Sequence, residues 1–162
     1  MQSIWRYLNR WLGIERLLQQ VGEVEERARA LSLEDAKRCA LEEMGSPAWN
    51  CRRRELRTDE KTILGELGAE LAAFFSEFVS VDNLHSNFSL NRETIRPYRD
   101  QPDLLQIGET LENCFIVTKR HDDSVYVLDQ MEDVAQDSEA FPSVYHLIAL
   151  EAFLMHSEGL QG

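Results

Sequence analysis

The stretch ENCFIVTKRHDDSVYVLDQ constrains this chain more than any other part of it. Cys114, Phe115, Ile116 and Val117 form one apolar run of β-branched and aromatic character, and Val125, Tyr126, Val127 and Leu128 form a second. Between them lie His121, Asp122, Asp123 and Ser124, residue types whose side chains bond their own backbone and favour turns. Two such runs around a polar tip predict an antiparallel β-hairpin. Because alternation is incomplete, both strands are expected to be covered on both faces, with helices available to cover one of them.

Helical periodicity dominates before about residue 80. Ile4, Leu8 and Leu12, then Ile14, Leu17, Leu18 and Val21, recur at spacings of three and four, which predicts an amphipathic helix broken or kinked near Gly13. Trp5, Trp11 and the leucines suit packing on the domain or on a second subunit. The Arg and Trp content also suits a weak membrane-surface helix, but no stable membrane association is expected. Residues 23–31 continue in helix formers. Ser32 stands three residues before Asp35 and predicts a capped start for SLEDAKRCALEEMG, with Leu33, Ala36, Ala40, Leu41 and Met44 as the apolar side. Gly45-Ser46-Pro47 is the stop.

NCRRRELRTDEK carries Arg52, Arg53, Arg54, Arg57 and Lys61 beside Glu55, Asp59 and Glu60, and reads as a solvated linker or helix face. Thr58 or Asp59 then opens a helix expected to reach about Val79, with Ile63, Leu64, Leu67, Leu71, Phe74, Phe75 and Phe78 as its stripe. Past Asn83 the period changes. LHSNFSLNRETIRPY predicts one or two short strands, Pro97 and Pro102 bracket a turn with Tyr98 inward, and LLQIG is a further strand ending at Gly108. After the hairpin comes an acidic loop, MEDVAQDSEAF, and Pro142-Ser143 opens a closing helix in VYHLIALEAFLMH.

Charge narrows the choice of partners. The chain of 162 residues has 17 Lys plus Arg against 29 Asp plus Glu, a net charge of −12. That argues against a nucleic-acid binder, whose affinity comes from neutralised phosphates. It suits an acidic protein that meets a basic protein surface. From residue 121 onward there is no Lys or Arg but there are nine carboxylates, three quarters of the imbalance. Asp122, Asp123, Asp129, Glu132, Asp133, Asp137 and Glu139 are the expected partner-binding residues.

Other chemistry is weakly signalled. Cys39, Cys51 and Cys114 are widely spaced, which suggests neither a disulfide framework nor a zinc cluster and points to a reducing, cytoplasmic setting. The N-terminal segment lacks an unbroken apolar run or small-residue cleavage site and reads as a poor signal peptide, and no stretch approaches 18 apolar residues. His85, His121, His146 and His156 make no metal-ligand spacing, and Asp122, Asp123 and Asp129 lack the calcium-loop glycine. Glu132 and Asp133 are adjacent rather than set across a substrate, and Ser143 sits in no nucleophile elbow. Cys114 heads an apolar strand, and there is neither a P-loop nor a dinucleotide fingerprint. A non-enzymatic protein without cofactor or metal is therefore expected.

The order of the second half resembles the SUKH superfamily, the fold of the yeast cell-wall-synthesis regulators and many bacterial immunity proteins. The resemblance spans about residues 62–157. Leu105, Ile107, Gly108, Val125, Tyr126, Leu128, Asp129, Phe153 and Leu154 stand where that family has its "LLxIG", "VYxLD" and closing "FL" phrases. It implies an α+β fold, a small, mostly antiparallel sheet packed with helices, over 58–162; by their periodicity residues 1–57 are expected to be a helical N-terminal region packed on or extending it. The resemblance also implies an immunity-like inhibitor that binds and neutralises a cognate toxin, commonly a nuclease. The alternative is an acidic secretion chaperone or adaptor, with the N-terminal helices as a homodimer face or client site.

Overall fold

The computed structural model describes residues 11–110, 114–129 and 139–156, with the backbone alone for 11–18. These residues form five α-helices and seven strands in a mixed α+β arrangement. All strand pairs are antiparallel. The part of the expected opening helix before Trp11, and the loop 130–138, lie outside the described residues.

Helix α1 (Trp11–Arg29) runs through Gly13 without a break, and Arg27 and Arg29 in its last turn complement its dipole. Helix α2 (Leu33–Met44) starts as its sequence directs: the Ser32 hydroxyl accepts from the Asp35 N–H at 3.1 Å. Its buried stripe is narrower than the periodicity suggested. Ala36, Ala40 and Met44 face the core at strict i, i+4 spacing, while Leu33 and Leu41 point to solvent. Small residues let α2 lie close against the closing helix, α5 (Val144–His156).

Residues 53–57 are the connection that their composition suggests, but the start of the arginine run is not. Trp49–Arg52 is strand β1, because Trp49 and Cys51 alternate with polar neighbours and pair with β2 (Ser80–Asn83). The region before residue 58 therefore contributes a strand to the same sheet.

The expected helix to Val79 is two helices, α3 (Thr58–Leu64) and α4 (Ala69–Glu77), and Arg57 rather than Thr58 occupies the cap position. The break falls at Gly68, over which the tip of the hairpin lies. A Cβ there would overlap the Asp123 carboxylate and the Asp122 backbone. Close approach of two backbones, not turn formation, requires this glycine.

Strands β3 (Ser89–Asn91), β4 (Arg96–Tyr98), β5 (Gln101–Thr110), β6 (Cys114–Lys119) and β7 (Val125–Asp129) complete the sheet, with a 3-10 turn at Arg92–Thr94. Its order is β1-β2-β3-β5-β6-β7, and β4 pairs with the first half of β5. The β6–β7 hairpin has the register Cys114↔Asp129 to Thr118↔Val125, and His121 takes the left-handed conformation at its tip.

Both faces of this hairpin are covered, which explains its nearly unbroken apolar runs. Ile116 and Val125 enter the main core between sheet and helices with Leu71, Phe74, Phe75 and Ile148. Val117, Tyr126 and Leu128 join Tyr98 and Leu104 in a smaller cluster on the other face. In the main core Phe74 meets Phe75 and Tyr145 edge-on, with ring centroids at 5.2 and 5.7 Å.

Candidate functional site

The acidic residues of the hairpin tip have internal partners. Asp123 Oδ1 accepts from the backbone N–H groups of Glu70 at 2.8 Å and Leu71 at 3.1 Å, so it caps α4 from across the chain. Asp122 Oδ1 accepts from the Ser124 N–H at 3.0 Å and shapes the turn. Both aspartates are half-buried. Asp129, at the end of β7, and Glu139 are exposed. Glu132, Asp133 and Asp137 lie outside the described residues.

Glu139 meets Arg29. The guanidinium donates to the Glu139 carboxylate at 3.4 Å, to its backbone carbonyl at 3.3 Å and to Glu25 at 3.3 Å, and it stacks over the Phe141 ring at 4.2 Å. These residues border a cavity of about 460 Å³ between α1, α5 and the sheet. Its apolar lining comes from Val21, Val127, Phe141, Leu147, Leu150 and Leu154. Glu151 stands in the same wall and accepts from the Thr110 hydroxyl at 3.2 Å. Burial pushes the Glu151 carboxyl above the usual carboxylate range, and only the Thr110 bond opposes that. In the sequence Glu151 is only one of the nine carboxylates from residue 121 onward. Its polar setting comes from Thr110, 41 residues earlier, which no local pattern reveals.

The histidines have separate duties. His85 and His121 are exposed, at the turn after β2 and at the hairpin tip, and His156 bonds Glu43 at 3.0 Å. His146 is buried. Its Nε2 lies 2.8 Å from the Leu31 carbonyl and therefore donates, which leaves Nδ1 to accept from the Ser143 hydroxyl at 2.7 Å. Ser143 Oγ in turn accepts from the His146 backbone N–H at 3.3 Å. This Ser–His pair has the contact distance of a nucleophile and its base. Yet both side chains are sealed in the core, and they tie the start of α5 to the end of α1.

A second buried polar centre holds the sheet to α3. Arg92, only 1% exposed, donates from Nε to Glu60 at 3.1 Å and from its two amino groups to the carbonyls of Phe75 at 2.8 Å and Arg54 at 3.0 Å. Glu60 also accepts from Arg54 at 2.8 Å and from the Arg57 N–H at 2.9 Å. The Arg54 hydrogen bond foremost, with Arg57 and Arg92 adding to it, holds the Glu60 carboxyl down to about 2 against the opposing pull of burial. The basic run is likewise paired: Arg52 with Glu93 at 3.4 Å, Arg53 with Glu77 at 3.2 Å, and Arg54 with Glu60 and Glu93.

Among the described residues, no group of three or more His, Cys, Asp or Glu side chains is placed to hold a metal ion, and no helix is long and apolar enough to cross a membrane. Compared with known proteins, the chain gives no significant match to a family model, a curated protein or a solved structure.

Proposed function

We propose that this protein is a binding protein of the immunity type, which neutralises a cognate toxin by covering a basic surface on it. The observation that carries this reading is the segregation of charge. Residues 121–162 hold nine carboxylates and no Lys or Arg, whereas the basic run at 52–54 is matched by its own glutamates. An acidic segment without Lys or Arg of its own accelerates encounter with a basic cleft such as that of a nuclease, and it penalises acidic competitors. Asp122 and Asp123 shape the hairpin end of this surface through their backbone bonds, and Asp129 and Glu139 present charge to solvent. Glu132, Asp133 and Asp137 extend the same acidic segment in sequence.

The test is co-expression with the product of the adjacent gene. A stable 1:1 complex that restores growth, and whose association slows at low salt when Asp129, Glu132, Asp133 and Glu139 are all changed to Lys, is the expected result. Absence of a complex, or association kinetics unmoved by the reversal across an ionic-strength series, overturns it.

A further inference from the structure

We propose that the cavity between α1, α5 and the sheet binds a small apolar organic ammonium compound, its cationic head on Glu151 and its hydrocarbon body against Leu147, Leu150 and Leu154. The volume of about 460 Å³ lies within the range of small-molecule sites. Apolar walls with a few polar groups set among them are the usual build of such sites.

Charge selects the ligand. Four charged residues line the cavity: Glu25, Arg29, Glu139 and Glu151. The one guanidinium is already divided between Glu25 and Glu139 and lies flat on Phe141. Glu151 has Thr110 as its hydrogen-bond partner and no cation within ion-pair distance among the described residues. A carboxylate in this largely apolar wall, hydrogen-bonded to Thr110 and without a counter-ion, gains more from a cationic head than from a neutral or anionic one. The cation competes with a proton for it. Glu139, with its side chain 75% exposed, and Glu25 lie on the same rim and raise the local concentration of cations. An anionic ligand of the same shape would meet three carboxylates against one arginine. A neutral one would leave Glu151 without a counter-ion.

Titration of the full chain at neutral pH with n-hexylammonium chloride, n-hexanol and sodium hexanoate, followed by calorimetry and by amide shifts at Thr110, Val127 and Leu150, tests this assignment. The ammonium compound is expected to bind saturably and tighter than the other two. Glu151→Gln keeps the acceptor for Thr110 but removes the charge, and should weaken ammonium binding by about tenfold or more, as loss of a charge-assisted bond predicts, while leaving hexanol unchanged. Leu154→Trp, which fills the cavity, should abolish binding of all three. No saturable ammonium binding, equal binding of hexanol or hexanoate, or unchanged ammonium affinity in E151Q overturns the proposal. If E151Q does not fold, the comparison of the three probes on the unmodified chain decides alone.

Discussion

Asp123 Oδ1 lies 2.8 Å from the backbone nitrogen of Glu70 and so caps a helix that begins 54 residues before it in the chain. The cap residue of α4 itself is Gly68, which has no side chain to offer. The hairpin tip supplies the missing acceptor, and its negative charge meets the positive end of the helix dipole. Asp123→Ala should cost about 0.5–2 kcal/mol in urea unfolding, the range for losing a capping side chain, and Asp123→Asn should recover most of it.

Gly68→Ala removes the space that the same contact uses. Gly68 has an ordinary negative φ, so the penalty is steric rather than conformational. Forcing a methyl against the Asp122 backbone should destabilise by about 1–3 kcal/mol, in the range of overpacked cores. Thermal unfolding of G68A beside D123A measures it, and the double variant should lose less than the sum because both act on one contact.

Arg92→Met keeps the volume but leaves Glu60 with Arg54 as its remaining guanidinium partner and deprives the carbonyls of Phe75 and Arg54 of their donor. Removing one partner of a buried ion pair costs about 3–5 kcal/mol when the other charge is left alone, and the Arg54 pair that remains puts R92M at or below the low end of that range. Denaturant midpoints of R92M, Glu60→Gln and the double variant should show the pair regaining part of that loss when both are replaced.

The two perturbed carboxylates give stability opposite dependences on pH. Glu60 is held near 2 in the fold against an ordinary 4.5, so the unfolded chain binds its proton more readily. Its contribution is present above the ordinary carboxylate range and disappears as pH falls from there toward about 2. Glu151 is raised by burial, so the folded chain holds that proton more tightly. Its contribution is present below the ordinary range and disappears as pH rises through the raised value, with Glu25, Arg29 and Glu139 as the charged neighbours lining the same cavity. Unfolding free energy should fall less steeply on the acid side in E60Q than in the unmodified chain. In E151Q it should gain relative to the unmodified chain at neutral pH and not at acid pH.

The α+β class and the hairpin were legible because they depend on near neighbours. Ile116-Val117 and Val125 to Leu128 specify strands locally, and Ser32 and Pro142 mark helix starts within one turn. The break between α3 and α4 was not legible. The stripe from Leu64 to Phe75 stays in helical period across Gly65 and Gly68, and the residue that rewards the break lies 53 positions from Glu70. Arg92 reads as surface between Asn91 and Glu93, yet it is buried because three carbonyls from two separate segments, Arg54-Glu55 and Phe75, converge on it with Glu60. The cavity was hidden for the same reason. Arg29, Thr110 and Glu151 come together only when the two ends of the chain do.

That meeting of the ends sets a timetable for synthesis. Arg29 joins Glu139 across 110 residues, Glu43 joins His156 across 113, and Leu31 joins His146 across 115. At roughly 5–20 residues per second on the ribosome, the first helices wait about 5–20 s for the segment they dock onto. Val24, Ala36, Ala40 and Met44 lack that covering until α5 emerges, so the nascent chain carries exposed apolar surface through that interval.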